Sequence, residues 1–501
     1  MSLEPAPSYW LTHSATTNYP RLAARTHVDV AVIGAGMAGI TTALLLKRAG
    51  RSVALIEAAR AAEQISGHTT AKITSLHRLI YAELNDSAGD EVARLYGESQ
   101  QAALRTIVGL IEDHKIDCSF ERAPAYTYCT DIAHLDAVRR EAEIAARLGL
   151  PAQFTAESPL PFDFVGAVRF ADQAQFHPRS YLLELLRQIP GDGSHVFERS
   201  RVLDITEDEP CRVTTADETL TADHVVVTTG MPILDRGGHF TAAHPYAHVA
   251  MAARLPEDAA FEGMFLSVEA PSRSVRIHRD EDGPVLIATG AKFKTGEADP
   301  LDLQAELEAW VGKHFPVQKV IARWWNQDFH AMDRRPYIGR VRSSTPRLWT
   351  ATGFSAWGMT GGTLAGMILT DRICNVTNPW AGIYDSTRVN FAGAGKFLEE
   401  NLDVARAWAG DRLGRRDRRT PAMLRPGEAA ILRPASEAIA AYRRDDASYY
   451  AVSANCTHMG CRVRWNPLAK SWDCPCHGSR FAPDGAVLSG PAVKPLQRLN
   501  Y

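Results

Sequence analysis

The first strong hydrophobic pattern in the chain is a β-branched run at residues 28–33 (VDVAVI), which predicts a buried parallel strand. Apolar residues at helical spacing follow over residues 40–49, and Gly50 closes that segment. A second apolar run, residues 52–56, ends at Glu57. Strand, helix and strand in this order predict one βαβ unit of a parallel sheet.

The remaining pattern divides the chain into a long mixed part and a short C-terminal part. Further elements are expected in this order: mainly helices over 86–150, strands over 196–230 and 245–293, a strand, Gly-rich turn and helix over 347–373, and a helix over about 391–410. From Pro426 onward, short strands alternate with Gly, Pro and Asp turns. The predicted fold class is therefore α/β with a β-sheet/helical second part, followed by a small all-β domain.

Length and composition narrow the possible partners. At 501 residues the chain can hold two or three domains, and 45% hydrophobic with 23% charged residues is typical of globular proteins. A net charge of −3 gives no reason to expect nucleic acid as a partner. The arginine-rich stretch at 406–419 is interpreted as a solvated linker. Because neither a secretory signal nor a run of 18 apolar residues occurs, no membrane span is expected, and the predicted location is cytoplasmic.

A glycine-rich turn after the first strand indicates a nucleotide site. Gly34, Gly36 and Gly39 fit the spacing G-x-G-x-x-G, between a strand and the start of a helix. Gly34 permits the tight turn, Gly36 lets the backbone approach a pyrophosphate, and Gly39 lets helix and strand pack closely. Glu57, 18 positions after Gly39, is placed to accept hydrogen bonds from ribose hydroxyls. Met37 and Ala38 lie at the helix N-terminus, which favours an anion.

Several further motifs resemble those of the FAD-dependent oxidoreductases of the glycine/D-amino-acid-oxidase (DAO) superfamily, and this resemblance covers about residues 28–375. The motifs are GHTTAK at 67–72, DHVVVTTG at 223–230, DRRPYIG at 333–339 and GFSAWGMTGG at 353–362. The resemblance implies FAD as the cofactor. It also implies that further residues of these motifs, together with Val202 before the second motif, hold FAD: Thr69, Thr70, Ala71, Lys72, Val202, Thr229, Gly230, Gly353, Gly358, Met359 and Thr360. No second complete G-x-G-x-x-G is present for a pyridine nucleotide. His68 either tethers the flavin covalently, as in some relatives, or only hydrogen-bonds the backbone, which is the favoured interpretation.

Cysteine spacing indicates a second site near the C-terminus. Four of the eight cysteines, at positions 456, 461, 474 and 476, fall within 21 residues, and two histidines lie among them. Cys456, His458, Cys474 and His477 form C-x-H-x15-C-x2-H, which resembles the Rieske family over residues 420–501. The resemblance implies that these four residues ligate a [2Fe–2S] cluster through Cys₂ on one iron and His₂ on the other. Structural zinc is the alternative for such a donor set.

The same resemblance places Cys461 and Cys476 as a disulfide between the two ligand loops. It also shows a departure from the high-potential members: Ser479 is present, but Phe481 stands where they have a tyrosine. One hydroxyl donor to the cluster sulfurs is therefore absent. We expect a potential near the middle of the Rieske range of about −150 to +300 mV.

The predicted organisation has four parts. They are an N-terminal extension (1–27), a DAO-like domain (28–390), a helix with the arginine-rich linker (391–419) and the Rieske domain (420–501). Within the DAO-like domain the FAD-binding parts are about 28–85, 175–235 and 325–375, and the substrate parts about 86–170 and 240–325.

These two sites together predict a flavoenzyme that oxidises a small amine- or amino-acid-like substrate. Hydride transfer to FAD and single-electron passage through the cluster to an external acceptor are expected. The reverse flow, in which an external donor reduces the cluster of a reductase- or desaturase-type enzyme, remains open, as does an electron-carrier or redox-sensing protein. The candidate groups facing the flavin are His244, His248, Arg276, His330, Tyr337 and Trp357. Four of them are the predicted catalytic residues: Arg276, His330, Tyr337 and Trp357. Arg276 or Arg334 is a candidate for binding a substrate carboxylate, and Trp357 for lying over the flavin.

Overall fold

The computed structural model describes residues 7–259, 261–388, 417, 419–433 and 437–500. Nine α-helices lie within these residues: α1 (Tyr9–Thr12), α2 (Met37–Arg48), α3 (Ile80–Ala88), α4 (Asp90–His114), α5 (Leu135–Arg147), α6 (Pro178–Arg187), α7 (Pro300–His314), α8 (Gly358–Ile373) and α9 (Ala381–Tyr384). In this part of the chain no helix is both long and apolar enough to cross a membrane. The helix expected at about 391–410 and most of the arginine-rich stretch lie outside the described residues.

The strands of the larger N-terminal part run from β1 to β19. They are β1 (Thr26–Ile33), β2 (Val53–Ile56), β3 (Lys72–Ile73), β4 (Glu121–Arg122), β5 (Ala125–Cys129), β6 (Ala152–Thr155), β7 (Gly166–Phe170), β8 (Ala174–Gln175), β9 (His195–Phe197), β10 (Val202–Thr206), β11 (Cys211–Thr215), β12 (Thr219–Val227), β13 (Ala243–Arg254), β14 (Met264–Ser267), β15 (Ser274–Asp280), β16 (Gly283–Lys294), β17 (Lys319–Ala331), β18 (Tyr337–Arg340) and β19 (Leu348–Thr352). The C-terminal part adds β20 (Ala429–Leu432), β21 (Ile439–Arg443), β22 (Tyr449–Ser453), β23 (Arg464–Asn466), β24 (Ser471–Asp473), β25 (Arg480–Phe481) and β26 (Val487–Ser489).

The first large sheet has the parallel centre that the βαβ pattern predicts. Its order is β10-β11-β12-β1-β2-β9, with β19 beside β12 and β18 beside β19. The pairs β1–β2, β1–β12, β2–β9 and β12–β19 are all parallel. The apolar centres of β1, β2 and β12 are buried on both faces, because helices α2 and α8 pack on one side and a second apolar cluster lies on the other. Their carboxyl ends meet at one edge of the sheet, where ligands of such folds bind.

The second large sheet is mostly antiparallel, in the order β17-β13-β16-β15-β14-β5-β7-β6. The region expected to be mainly helical over residues 86–150 therefore also supplies a strand, β5, whose five residues (AYTYC) are all buried. Its aromatic and polar side chains fit a strand because β7 and β14 pair with it on both edges. The division into FAD-binding and substrate parts stays a prediction.

Among its described residues the C-terminal part contains β-sheets, one short 3-10 helix (Pro421–Met423) and no α-helix, in agreement with the turn-rich pattern. The sheets are the three-stranded sheet β20-β21-β22 and the four-stranded sheet β23-β24-β25-β26. This domain packs directly on the larger one through hydrogen bonds from Gln327 to Gly478 O (2.9 Å), from Arg464 to Gly296 O (2.8 Å) and from Arg201 to Val487 O (2.8 Å).

Candidate functional site

A cavity of about 620 Å³ starts at the carboxyl ends of β1 and β2 and continues to the first turn of α8. Thirteen of the predicted FAD-binding residues line it: Gly34, Gly36, Met37, Ala38, Glu57, Thr69, Thr70, Lys72, Val202, Thr229, Gly230, Gly358 and Met359. The other four, Gly39, Ala71, Gly353 and Thr360, are not among the lining residues. Gly39 instead packs against the turn, because a Cβ there would lie 1.8 Å from Gly34 O.

One end of the cavity has the features that an adenosine and a pyrophosphate require. Gly34 has φ +100°, so the turn needs a glycine. The Glu57 carboxylate is buried and accepts hydrogen bonds from Ala35 N and Ala59 N, both at 2.9 Å. Burial raises its pKa, and Arg201 nearby opposes that shift. A carboxylate so fixed beside the glycine turn has acceptor capacity left for ribose hydroxyls.

The other end is formed by the loop before α8. Helix α8 begins at Gly358 without a side-chain cap, so its first amides are available to a ligand with partial negative charge. Trp357 does line the cavity, and its ring stacks on His77 with 4.3 Å between ring centroids. The Asp328 carboxylate holds this loop by accepting from Ala356 N (2.5 Å), and burial raises its pKa to about 6.

Two of the predicted catalytic residues face away from the cavity. Arg276 is fully buried and donates to Thr70 O (2.5 Å) and Phe176 O (3.2 Å), so it supports the loop at 69–72 from behind. Tyr337 is also buried, with the Arg388 guanidinium 3.8 Å from its ring centroid. His330, Trp357 and the further candidate His248 are brought together in the lining, whereas His244 lies outside it.

Lys72 is one of the basic groups in the lining whose pKa is strongly lowered. Its ammonium donates to Ser274 Oγ, and burial together with the charge of Arg276 lowers its pKa to about 7. Burial and Lys72 in turn lower the pKa of His248 to about 4, so this imidazole is neutral at pH 7. Lys292 and Arg334 also line the cavity, as do the carboxylates of Glu83 and Asp328. The basic side chains of the lining are suited to an anionic group.

Several lining residues have no counterpart in the sequence motifs. The N-terminal extension contributes Pro7 and Leu11, and its buried Trp10 donates from Nε1 to Thr69 O (2.6 Å). The aromatic pair Tyr9-Trp10, in an otherwise polar stretch, is the sequence signal that could have marked this contact. The C-terminal domain contributes seven residues: Leu468, Ala469, Arg480, Leu488, Ser489, Gly490 and Val493.

The four predicted metal ligands lie together on two loops of the C-terminal domain. Each loop turns in the same way, with Gly460 N donating to Cys456 O (2.9 Å) and Gly478 N to Cys474 O (3.0 Å). The Cys456 and Cys474 side chains are in hydrogen-bond contact, and the two imidazole rings, of His458 and His477, are 5.0 Å apart.

Both histidines bury Nδ1 without a hydrogen-bond partner among the described residues. Two thiols and two such nitrogens fit the Cys₂His₂ donor set of a Rieske cluster.

The two remaining cysteines of this region form the expected link. Cys461 and Cys476 are joined by a disulfide between the ligand loops, and both are buried. Their sulfurs lie close to that of Cys474, within 4.8 Å, but they are bonded to each other. Ser479 is fully buried, and its hydroxyl is in hydrogen-bond contact with the Cys456 sulfur, whereas Phe481 offers no hydroxyl.

Comparisons with known proteins support both the FAD cavity and the cluster site. The family model "FAD dependent oxidoreductase" (DAO) matches residues 29–372, and the model "Rieske [2Fe-2S] domain" matches residues 420–500. The chain is 33% identical over 500 residues, covering 99% of itself and 98% of the relative, to YhfW of Bacillus subtilis (strain 168), whose name describes a Rieske 2Fe-2S iron-sulfur protein.

More distant relatives match about 70% of the chain. The γ-glutamylputrescine oxidoreductase of Escherichia coli (strain K12) is 25% identical over 360 residues, which are 69% of this chain and 83% of the relative. The glycine oxidase of Geobacillus kaustophilus has the same fold, with a TM-score of 0.62 at 17% identity over 73% of this chain and 99% of that one. The chain thus belongs to the DAO family of FAD-dependent oxidoreductases and carries a C-terminal Rieske domain, so its cofactors are FAD and a [2Fe–2S] cluster.

Proposed function

We propose that this oxidoreductase removes hydride from a small amine- or amino-acid-like substrate and passes the electrons singly through its Rieske domain to an external acceptor. FAD supplies a two-electron hydride acceptor, and the [2Fe–2S] cluster supplies a one-electron carrier. The protein's own residues have three tasks: to bind the substrate, to exclude water and to hold the two sites in contact.

The observation that carries this proposal is the contact of one side chain with both sites. Phe329 lines the cavity, and its ring lies 3.0 Å from the position of a Cβ on Gly478, the residue after His477. Gln327, two residues earlier on β17, donates to Gly478 O. The ring of Phe240 lies 5.0 Å from that of His477 and 5.7 Å from that of His458. The histidine side of the metal site therefore faces the cavity through packed aromatic side chains.

The charges of the cavity support a substrate with a carboxylate. Lys72, Lys292 and Arg334 line the cavity, and Lys72 is partly buried, so an ion pair there is stronger than in bulk water. Arg334 also pairs with Glu83 (3.0 Å). We expect Lys72, held by Ser274, to bind the carboxylate while the amine nitrogen and its neighbouring C–H lie toward Trp357.

Neutral and apolar groups around the reacting end support exclusion of water. His248 stays neutral at pH 7, and His77, whose pKa burial lowers to about 3, does so as well. Hydride removal beside nitrogen requires orientation and desolvation more than a strong base. The names of the relatives, a γ-glutamylputrescine oxidoreductase and a glycine oxidase, support an amine or amino acid as the substrate class.

The experiment that tests this proposal is an anaerobic screen of the full-length protein against amines, amino acids and their N-alkyl derivatives. Flavin absorbance and the EPR signal of the reduced cluster are recorded together. We expect one compound to bleach the flavin and to produce the cluster signal in the same reaction. If only a one-electron donor reduces the protein, and the cluster signal precedes flavin bleaching, the reductase alternative replaces this proposal. Failure of every small molecule would favour the electron-carrier alternative.

A further inference from the structure

A segment of the Rieske domain, residues 487–494, lies between the metal site and the opposite end of the FAD cavity. Four of its residues line the cavity: Leu488, Ser489, Gly490 and Val493. They lie at the end that also contains Glu57, Arg201 and Val202, which is the adenosine end by the position of the glycine-rich turn. The DAO-like domain alone therefore does not complete the wall of this cavity.

Contacts of segment 487–494 with the larger domain are close. The Arg201 guanidinium donates to Val487 O (2.8 Å). A Cβ on Gly490 would lie 2.9 Å from Cγ2 of Ile233, so the backbone itself is packed on that side chain. Val493 packs on the apolar cluster that contains residues of β1 and β2. These contacts fix the segment beside the cavity on both sides of Gly490.

The same segment is tied to both ligand loops. Ala492 N donates to Ser479 Oγ (3.0 Å), and Ser479 belongs to the second loop. Thr457, between the ligands Cys456 and His458, donates from Oγ1 to Lys494 O (2.6 Å). The order of segment 487–494 thus depends on the order of the two loops that hold the cluster.

We propose that segment 487–494 of the Rieske domain is part of the FAD-binding site and covers its adenosine end, so that the two cofactors bind cooperatively. The cluster orders the ligand loops, the loops hold the segment, and the segment contacts FAD. Because such coupling is reciprocal, bound FAD also favours an intact cluster. The proposal requires FAD in this cavity, and it is independent of the substrate and of the direction of electron flow.

The first test measures FAD affinity in the full-length Leu488→Ala variant by quenching of flavin fluorescence on titration of flavin-stripped protein. Removing apolar contact from the cavity wall should weaken FAD binding by about tenfold. The matched control is Leu499→Ala, in the same domain but packed on an apolar cluster away from the cavity, and its affinity should remain within about twofold of the wild type. The EPR signal of the reduced cluster reports that the domain is intact.

If the Leu488→Ala variant loses the EPR signal of the reduced cluster, the FAD affinity of Val493→Ala is measured in the same way and tests the contribution of segment 487–494 instead. Wild-type FAD affinity in a variant that retains its cluster would overturn the proposal.

The second test removes the cluster with the double substitution Cys456→Ser and Cys474→Ser and measures FAD affinity by the same titration. Weaker binding than in the cluster-containing protein, by about fivefold or more, supports the coupling. Equal affinity with and without the cluster would overturn it. Neither titration involves turnover. A negative result therefore overturns the proposed coupling of the two cofactors without bearing on the proposed substrate class.

Discussion

The metal site and the flavin cavity differ in how far apart their residues are in the sequence. All four cluster ligands lie within 22 positions, on two loops that each close through a Cys-to-Gly hydrogen bond. The cavity instead takes its wall from the N-terminal extension, both large sheets, helix α8 and the Rieske domain. A local site is specified by spacing, whereas a site assembled from distant segments depends on how the domains pack.

The largest expected effect is at the local site. Cys456→Ser should remove the cluster, because a hydroxyl does not replace a thiolate on iron. Iron analysis and EPR should both fall to background, while flavin remains when FAD is in excess. The control Cys374→Ser, at a partly exposed cysteine that follows α8, should keep its iron. Zinc in place of iron in the wild type would contradict the Rieske interpretation.

The corresponding change in the cavity is Gly36→Val. A Cβ at Gly36 already lies 3.1 Å from Ser66 Oγ, and the branched carbons beyond it take the space that the pyrophosphate requires. The purified variant should lack flavin absorbance and retain the EPR signal of the cluster. Gly312→Val is the control, since a Cβ there meets nothing within 4 Å. If the Gly36→Val variant retains flavin, the pyrophosphate of FAD does not approach the backbone at Gly36.

Replacing Cys461 and Cys476 together by serine tests the link between the ligand loops. The disulfide closes a loop of about 15 residues, so its loss should lower the free energy of unfolding of the Rieske domain by about 3 kcal/mol. Iron should remain bound but be lost faster in air, as denaturant titration and timed iron analysis would show. Iron loss as complete as in Cys456→Ser would mean that these cysteines are ligands.

A smaller effect is expected at Lys72, through which the proposed substrate carboxylate is bound. Lys72→Met should lower kcat/KM by about 30-fold, mainly through KM. With a pKa of about 7, Lys72 is cationic below that pH and neutral above it. The kcat/KM for an anionic substrate should therefore fall as pH rises through about 7. Lys72→Arg should move this fall to higher pH, and an unchanged pH profile would exclude Lys72 as the group.

Local patterns in the sequence predicted the parallel sheet and the small all-β domain, and the resemblance of short motifs to two known families implied the two cofactors. Gly34 to Glu57 specify a strand, turn and helix within one βαβ unit, and the Cys456 and Cys474 loops carry their ligands and disulfide within a few residues. These features arise from backbone geometry and ligand spacing that a short stretch of chain determines.

The roles of single residues in the cavity were harder to predict, because they depend on packing between distant segments. Arg276 was expected to meet substrate, but its guanidinium is bonded to backbone carbonyls behind the loop at 69–72. The sequence pattern predicts only a strand position for Phe329 and Gln327, yet both residues contact Gly478 of the Rieske domain. No spacing rule connects β17 with Gly478, since 151 positions separate Gln327 from it.

The central claim is that electrons pass from the flavin to the cluster, and paired redox titrations of the full-length protein test it most directly. One titration follows flavin absorbance, and the other follows the EPR signal of the reduced cluster. His₂ ligation and the Ser479 hydroxyl raise the cluster potential, whereas Phe481 offers no second donor. We expect a cluster potential equal to or above that of the flavin, rising further in Phe481→Tyr. A cluster potential clearly below that of the flavin would contradict this account and favour electrons entering through iron.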